Sequence, residues 1–342
     1  MAKLRQQKEL PHVFLLAGKE HYYLKKAQER IFQLLFTGKE EIEDSLQKFT
    51  GNVELETLLG TIETVPFFAE KSVVLVQGTT LFKAGKAEAA GKSDSRRDKS
   101  QERLLALLAD MPDYSYLIFT ASDAPDKRKK LFKAVEKNGL VLEAEPVRAW
   151  NIGDWLTGKL NAIDKRLDHE AYEYFQGAVS VMQEISLEFL DSEFDKLALY
   201  SDEKVITKQE LLSVFAGMPE VSSFALLDAV SERNVQKALS LLQRRLADGI
   251  YFTVILALLA RHVRQLWQAR LLMQQGIRGK ALAKPLELNP FIAEKLGRAA
   301  AGFKDETLKQ AMLELADADY LLKTGQAGEE LLEHVIIVLC DR

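Results

Sequence analysis

The sequence is poor in the features of secreted and membrane-spanning proteins. Its one cysteine among 342 residues, Cys340, excludes an internal disulfide framework and a multi-cysteine metal site. We expect Cys340 to be a buried core residue rather than a reactive thiol. The longest wholly apolar run, 254–260, is too short to cross a bilayer, and the stretch 12–17 is too short for a signal-peptide core. These absences favour a reducing cytoplasm and no contact with membranes.

The chain also lacks an excess of positive charge. Its 46 Lys and Arg residues face 50 Asp and Glu residues, a formal net charge of −4, so an overall positive field cannot hold nucleic acid. A local patch or a partner would have to supply any DNA contact. With 47% hydrophobic residues and only eight prolines, most of the chain should fold. Its length predicts two or three domains.

A nucleotide-binding loop is missing as well. Such a loop needs glycines whose backbone N–H groups cradle phosphates, followed by Lys and then Ser or Thr. After the first predicted strand the chain has AGKEH at 17–21, with no upstream glycine and with Glu20 where the hydroxyl belongs. The predicted strand 72–76 is followed by Gln77 and Gly78 instead of the acidic pair that holds Mg²⁺. We therefore do not expect ATP hydrolysis.

Residues that build other catalytic sites are equally sparse. The histidines stand singly, without the spacing of a zinc helix or finger: His12, His21, His169, His262 and His334. There is no GxSxG nucleophile elbow, and nothing resembles a two-metal polymerase site. The sequence gives no basis for choosing a pair among the many carboxylates. We therefore predict a non-catalytic chain with no catalytic residue, no metal and no cofactor.

The first 145 residues alternate between short β-rich runs and helical patterns, which is typical of a layered α/β domain with a largely parallel sheet. The predicted elements are strands at 13–16, 72–76, 116–120 and 140–143 and helices at 22–36 and 101–109.

Between the second and third of these strands, the stretch 84–100 has no apolar residue larger than alanine and should be a mobile surface loop. Asp94 and Asp98 offset its cations, which favours a solvated loop over the alternative, a phosphate contact. The cations are Lys92, Arg96, Arg97 and Lys99.

From Trp150 onward the pattern is helical, which places a first domain boundary near Pro146. Thr207 and Glu210 have capping-box spacing and predict a helix start. The segment 216–223, with a glycine and a proline, breaks the pattern and marks a second boundary or a hinge. Amphipathic segments then follow at 224–232, 235–248, 252–274, 290–300 and, as a final pair, 306–339. Such segments pack into a bundle.

Two features favour binding to a partner. The adjacent Phe67 and Phe68 precede a strand, and because neighbouring side chains point to different sides, one core cannot easily bury both. At least one is therefore a candidate exposed anchor, although a phenylalanine in an α/β domain is more often core. Further on, the arginines 261, 264 and 270 flank Trp267 on a predicted helix. They favour a subunit interface over the alternative, a nucleic-acid contact.

In order and spacing, these motifs resemble the delta subunit of the bacterial DNA polymerase III clamp loader. The segments concerned are VFLLAGKEHYYLKKA at 13–27, PFFAEKSVVLV at 66–76, DKRKKLFKAV at 126–135, EFDKLALYSD at 193–202, SSFALLDAVSERN at 222–234, LLARHVRQLWQARLL at 258–272, LNPFIAEKL at 288–296 and EHVIIVLC at 333–340.

The resemblance implies an α/β N-terminal AAA+-like domain with a degenerate nucleotide site at 1–145, an all-α lid at 146–215 and an all-α collar, through which subunits assemble, at 216–342. It implies that a hydrophobic pair binds and opens the sliding clamp, the beta subunit. The matching positions are Pro66, Phe67, Phe68 and Ala69. Many members carry Leu-Phe at this pair, so Phe67 differs in shape and keeps the apolar character.

The implied partners are the sliding clamp, the ATPase and delta-prime subunits of a hetero-pentameric loader, and primed DNA within that complex. Two alternatives remain open at this point. One is a divergent ATPase with an unconventional phosphate loop at Gly18 and Lys19. The other is a helical scaffold in which Phe67 and Phe68 lie in the core.

Overall fold

A computed structural model of the chain describes residues 10–67, 69–84, 95–182, 184–215 and 217–341. The chain divides into two compact units, Met1–Pro146 and Val147–Arg342. The further division of the second unit into a lid and a collar stays a prediction. No helix in the described ranges is long and apolar enough to cross a membrane.

The first unit is built on a five-stranded sheet in which every pairing is parallel, in the order β2-β3-β4-β1-β5. The strands are β1 Val13–Gly18, β2 Leu46–Thr50, β3 Ser72–Gln77, β4 Ser115–Ala121 and β5 Leu140–Ala144. The helices are α1 His21–Leu35, α2 Lys39–Ser45, α3 Leu55–Glu63, α4 Ser95–Ala109 and α5 Lys130–Asn138. Helices on both faces explain why the inner strands are continuous apolar runs, since a parallel sheet is buried on both sides. The α/β N-terminal domain is confirmed.

Two elements of this unit differ from the sequence predictions. The edge strand β2 was not expected, because an edge strand is buried on few sides and LQKFT carries little apolar signal. Helix α4 begins at Ser95, so the predicted loop was wrong over 95–100. The first turns of α4 contain no large apolar residue, which leaves nothing periodic to detect in the sequence. The rest of that predicted loop, 85–94, lies outside the described residues.

The second unit is helical, as expected, apart from two short parallel strands that pair with each other. Its elements are α6 Ile152–Ala162, β6 Arg166–Leu167, α7 His169–Val181, α8 Leu187–Tyr200, β7 Val205–Ile206, α9 Lys208–Phe215, α10 Pro219–Ser231, α11 Val235–Ala247, α12 Phe252–Gln274, a 3-10 helix Gly279–Leu282, α13 Ala283–Leu286, α14 Pro290–Ala301, α15 Asp305–Lys323 and α16 Glu330–Cys340. The capping box at α9 is confirmed. Thr207 Oγ1 accepts from the Glu210 N–H at 3.3 Å, and the Glu210 carboxylate accepts from the Thr207 N–H at 2.8 Å.

A single apolar core joins α10 through α16, and Cys340 lies in it at 3% exposure. Burial raises the pKa of the Cys340 thiol to about 11, so the thiolate is disfavoured. The prediction that Cys340 is a core residue is confirmed.

Candidate functional site

The segment between α3 and β3 carries an exposed apolar tip. The side chain of Phe67 is 91% exposed and that of Val65 is 67% exposed, while Pro66 and Ala69 are half-buried. Phe68 lies outside the described residues. Because Phe67 is on the surface, the structure does not match the alternative that places it in the core. We call residues 64–71 the Phe67 loop.

The start of the Phe67 loop is fixed to α4 and to the chain before β4. The hydroxyl of Tyr114 donates to the carbonyl of Glu63 at 3.0 Å, and the Glu63 carboxylate forms an ion pair with Arg103. The hydroxyl of Thr64 donates to the carbonyl of Gly60 at 2.6 Å, which closes the last turn of α3. The loop therefore leaves α3 in a defined direction.

The end of the Phe67 loop is fixed to α1 and α2. The ammonium of Lys71 lies 2.9 Å from the Glu41 carboxylate and also donates to the carbonyl of Leu35. Hydrogen bonds from the Thr37 backbone and from Lys71 lower the pKa of Glu41 from 4.5 to about 2. Glu41 therefore stays ionised, and the Lys71 contact stays formed, well below neutral pH.

An exposed phenylalanine on a loop with two fixed ends is suited to protein binding. A large apolar group in water is unfavourable, and burying it in a pocket of a partner recovers that free energy. Fixed loop ends lower the ordering cost that binding would otherwise incur. The fixing residues lie far apart in sequence, and sequence analysis did not find them.

At the position of a phosphate loop, the structure has a packed strand end. Gly18 has φ +133°, and a Cβ added to it would lie 2.0 Å from the carbonyl oxygen of Ala144 on β5. Glycine is required here for close approach of two backbones. Gly18 is therefore needed for the packing of β1 against β5. This role explains the glycine of the Gly-Lys pair without requiring a phosphate-binding loop.

Glu20 covers the N-terminus of α1. It is buried at 8% exposure, its carboxylate accepts from the Tyr22 N–H at 3.4 Å, and its own N–H donates to Ala144 at 3.2 Å. A helix N-terminus is the usual site for a phosphate, and a carboxylate there already satisfies its donors and repels a second anion. At the end of β3, the Gly78 N–H donates to the Thr120 hydroxyl at 3.0 Å, where an ATPase would place carboxylates.

Two of the three arginines around Trp267 have separate partners within the second unit. Arg261 donates to the carbonyl of Ser180 at 3.2 Å, and Arg270 pairs with Asp305, while Arg264 is exposed. Trp267 packs against the helical core. The structure does not bring these residues together into one site.

The histidines are dispersed, and no group of three or more potential metal ligands occurs within the described ranges. Four of them have nearby intramolecular partners: His12 Nδ1 lies 2.9 Å from the Ser115 carbonyl, His169 lies 2.8 Å from Glu173, and His334 lies 3.8 Å from Glu314. His262 Nε2 lies 2.8 Å from the Ser231 hydroxyl.

His262 also lines a cavity of about 50 Å³ between α7, α10, α12 and α14. Asp228 and Lys295, 2.5 Å apart, line the same cavity and offset each other's charge. Burial lowers the pKa of His262 from 6.5 to about 4, while Asp228 acts in the opposite direction.

We expect His262 to make the protein less stable in acid. Its pKa is lower in the folded chain, so the unfolded chain takes up a proton as the pH falls below 6.5, and stability declines until about pH 4. Between pH 7 and pH 4.5 the loss should be on the order of 2–3 kcal/mol, at about 1.4 kcal/mol per unit. Urea unfolding of wild type and His262→Gln at both pH values measures it. An equal loss in the two proteins would contradict the assignment.

Comparisons with known proteins point to one family. The family model described as DNA polymerase III, delta subunit, matches residues 14–145, and the model for the C-terminal domain of that subunit matches residues 220–340. The DNA polymerase III subunit delta of Bacillus subtilis is 25% identical over 336 residues, covering 96% of this chain and 93% of that protein. The probable DNA polymerase III subunit delta of Aquifex aeolicus is 25% identical over 326 residues, covering 91% and 86%.

A solved structure is similar along the whole chain. The Bacillus subtilis DNA clamp loader delta protein aligns with a TM-score of 0.61 and 24% identity, covering 100% of this chain and 98% of that one. This similarity bears on the fold, and it extends over both units.

Proposed function

Because the chain belongs to the DNA polymerase III delta subunit family, we propose that it binds the ring-shaped sliding clamp and opens it for loading onto primed DNA. The surface assigned to the clamp is the Phe67 loop, with Pro66, Phe67, Phe68 and Ala69 as its contacts. The observation that carries this assignment is the 91% exposure of Phe67 on a loop whose two ends are held by ion pairs and hydrogen bonds.

The reaction is conformational. A clamp ring exists in closed and open states, and a bound protein shifts that equilibrium only by its difference in affinity for the two. An aromatic side chain inserted next to a subunit interface of the ring would fit the open state better. The fixed loop ends matter because a flexible loop could adapt equally well to the closed and the open ring. It would then have the same affinity for both states and would not shift the equilibrium.

ATP hydrolysis belongs to the partners in this proposal. The position for a phosphate loop is filled by Gly18 against Ala144 and by the Glu20 cap, which supports a non-catalytic chain. The ATPase and delta-prime subunits would complete a hetero-pentamer in the cytoplasm. The helices from residue 216 onward would form the collar through which the subunits assemble, and those at 146–215 the lid. The nucleotidyltransferase activity of the holoenzyme resides in other subunits.

The test is release of a clamp from DNA without nucleotide. Cognate clamp loaded on nicked circular DNA is mixed with the purified chain, and retained clamp is followed by gel filtration. We expect the chain alone to release the clamp several-fold faster than buffer. Clamp retained as in buffer, despite measurable binding, would overturn the opening step.

The same preparation also decides between this proposal and a divergent ATPase. We expect phosphate release from ATP and Mg²⁺ at the level of the buffer blank. Substantial metal-dependent turnover by the pure chain would contradict the non-catalytic assignment.

A further inference from the structure

The segment 216–223, which the sequence marks as a boundary or a hinge, is short and held in the structure. Helix α9 ends at Phe215 and α10 begins at Pro219, so residues 216–218 connect them. The Met218 side chain in this connection is 3% exposed, and the Met218 N–H donates to the Phe215 carbonyl at 2.9 Å. A hinge needs residues whose φ and ψ can change, and a buried, hydrogen-bonded residue resists that change.

Arg245 fixes the start of α10 from the neighbouring helix α11. Its side chain is 2% exposed, and its guanidinium donates to the Pro219 carbonyl at 2.9 Å and to the Ser222 hydroxyl at 2.6 Å. Moving a buried guanidinium away from its acceptors would leave a buried charge without hydrogen bonds, which is strongly unfavourable. The first turn of α10 is therefore held against α11.

Phe224 connects α10 to α7. A Cβ added to Gly177 on α7 would lie 2.2 Å from Cζ of the Phe224 ring, so the ring occupies the space that a larger residue would fill. Tyr174, about one turn earlier on α7, packs edge-on against the same ring with 5.4 Å between ring centroids. The Tyr174 hydroxyl also donates to the Val221 carbonyl at 3.1 Å. We call the contact of Phe224 with Gly177 the Phe224 pin.

Both ends of α7 are held as well. At its start, the His169 ring packs edge-on against Phe291 of α14, with 6.3 Å between ring centroids. Near its end, Arg261 of α12 donates to the Ser180 carbonyl at 3.2 Å. Helix α7 thus contacts three helices along its length, and any rotation of it would break several contacts at once.

Helices α8 and α9 are joined to α7 by a cluster of three phenylalanines. The ring centroids lie 5.3 Å apart for Phe175 and Phe194, 6.4 Å for Phe175 and Phe215, and 5.5 Å for Phe194 and Phe215. All three side chains are at most 2% exposed, and their edge-on contacts are the arrangement that aromatic rings prefer in a core. A movement of α7 therefore has to carry α8 and α9 with it.

We propose that α7 through α16 form one rigid body, held together by the Phe224 pin, and that the segment 216–223 does not act as a hinge. Helices α10 through α16 share a single core, and the pin adds α7, and with it α8 and α9, to that core. Close-packed interfaces resist gradual bending. In a clause that rests on the proposed function, a displacement imposed on the predicted collar would reach the predicted lid helices without bending between them.

The test is a distance measurement across the segment by pulsed electron paramagnetic resonance on the full-length chain. Spin labels are attached to Ser192→Cys on α8 and Ser240→Cys on α11, both at exposed positions. Cys340 is buried and its thiolate is disfavoured, so the label should react with the introduced cysteines. The reference pair is Ser240→Cys with Lys309→Cys on α15, which lies wholly within the core of α10 through α16.

We expect one narrow distance distribution across the segment, as narrow as that of the reference pair. Two distances, or a distribution clearly broader than the reference, would overturn the rigid body. This measurement needs no further variant and no clamp. Clamp binding by the same labelled chain judges the Phe67 loop separately, so a failure of the proposed function would leave the result intact.

Removing the ring tests the Phe224 pin itself. Phe224→Ala should broaden the distribution between the labels at 192 and 240, while Phe303→Ala, which removes another buried ring of the same core, should leave it narrow. An unchanged distribution in Phe224→Ala, or equal broadening in both variants, would contradict the role of the pin. If circular dichroism shows Phe224→Ala unfolded, Gly177→Ala replaces it, because its added methyl group displaces the ring and should shift or broaden the same distance.

Discussion

Replacing Phe67 by alanine should lower the affinity for the sliding clamp by a factor of roughly 30 to 1,000, the equivalent of about 2–4 kcal/mol for a central aromatic contact. Truncation removes the apolar area that the partner pocket would bury, and the fixed loop ends keep the rest of the surface in place. The double variant Phe67→Ala/Phe68→Ala should lose at least as much. Equilibrium binding to the cognate clamp by surface plasmon resonance measures both.

Folding provides the control for this prediction. Phe67 is 91% exposed, so its removal should leave the circular-dichroism melt unchanged. Leu199, 87% exposed at the end of α8, is a matched apolar residue, and Leu199→Ala should bind the clamp as wild type does. A lowered melting temperature together with lost clamp binding would mean that Phe67 and Phe68 stabilise the core and do not form the clamp contact. If the double variant folds and binds the clamp normally, the Phe67 loop does not form the clamp contact.

Gly18→Ala should destabilise the first unit by about 3–5 kcal/mol, enough to unfold it under mild conditions. The φ of +133° lies outside the range that L-residues adopt, which costs about 1–3 kcal/mol. The added methyl group would also lie 2.0 Å from the Ala144 carbonyl oxygen, a backbone atom of the neighbouring strand that has little room to move. Urea unfolding followed by circular dichroism measures the loss.

Gly60 provides the comparison for Gly18. It lies in α3, where an added Cβ meets nothing within 4 Å, and Gly60→Ala should stabilise the helix slightly, by up to about 1 kcal/mol. Equal stability of Gly18→Ala and wild type would show that β1 and β5 are less closely packed than described.

Regular elements with strong apolar periodicity could be predicted from the sequence. The helix over 252–274 has the bounds of α12, and the four predicted strands match β1, β3, β4 and β5 to within two residues. Elements stabilised by few apolar contacts were missed. The edge strand β2 and the 3-10 helix Gly279–Leu282 depend on neighbours that are distant in the chain, so local patterns do not reveal them.

The candidate site likewise combines features that the sequence shows with features that only the structure shows. Adjacent phenylalanines were visible in the sequence, and so was the absence of phosphate-loop residues. The role of Gly18 was not, because its nearest contact, Ala144, is more than a hundred residues away.

By itself, the sequence determined four of the five strands of the first sheet, the change from α/β to helical structure near Pro146, and the lack of an ATPase residue set, because these depend on local periodicity and residue type. Only the tertiary structure decided that Phe67 is exposed on a loop whose ends are held by Tyr114 and Lys71, and that Glu20 covers a helix end. Burial and charge neutralisation are set by side chains that meet across long stretches of chain, and folding alone brings those side chains together.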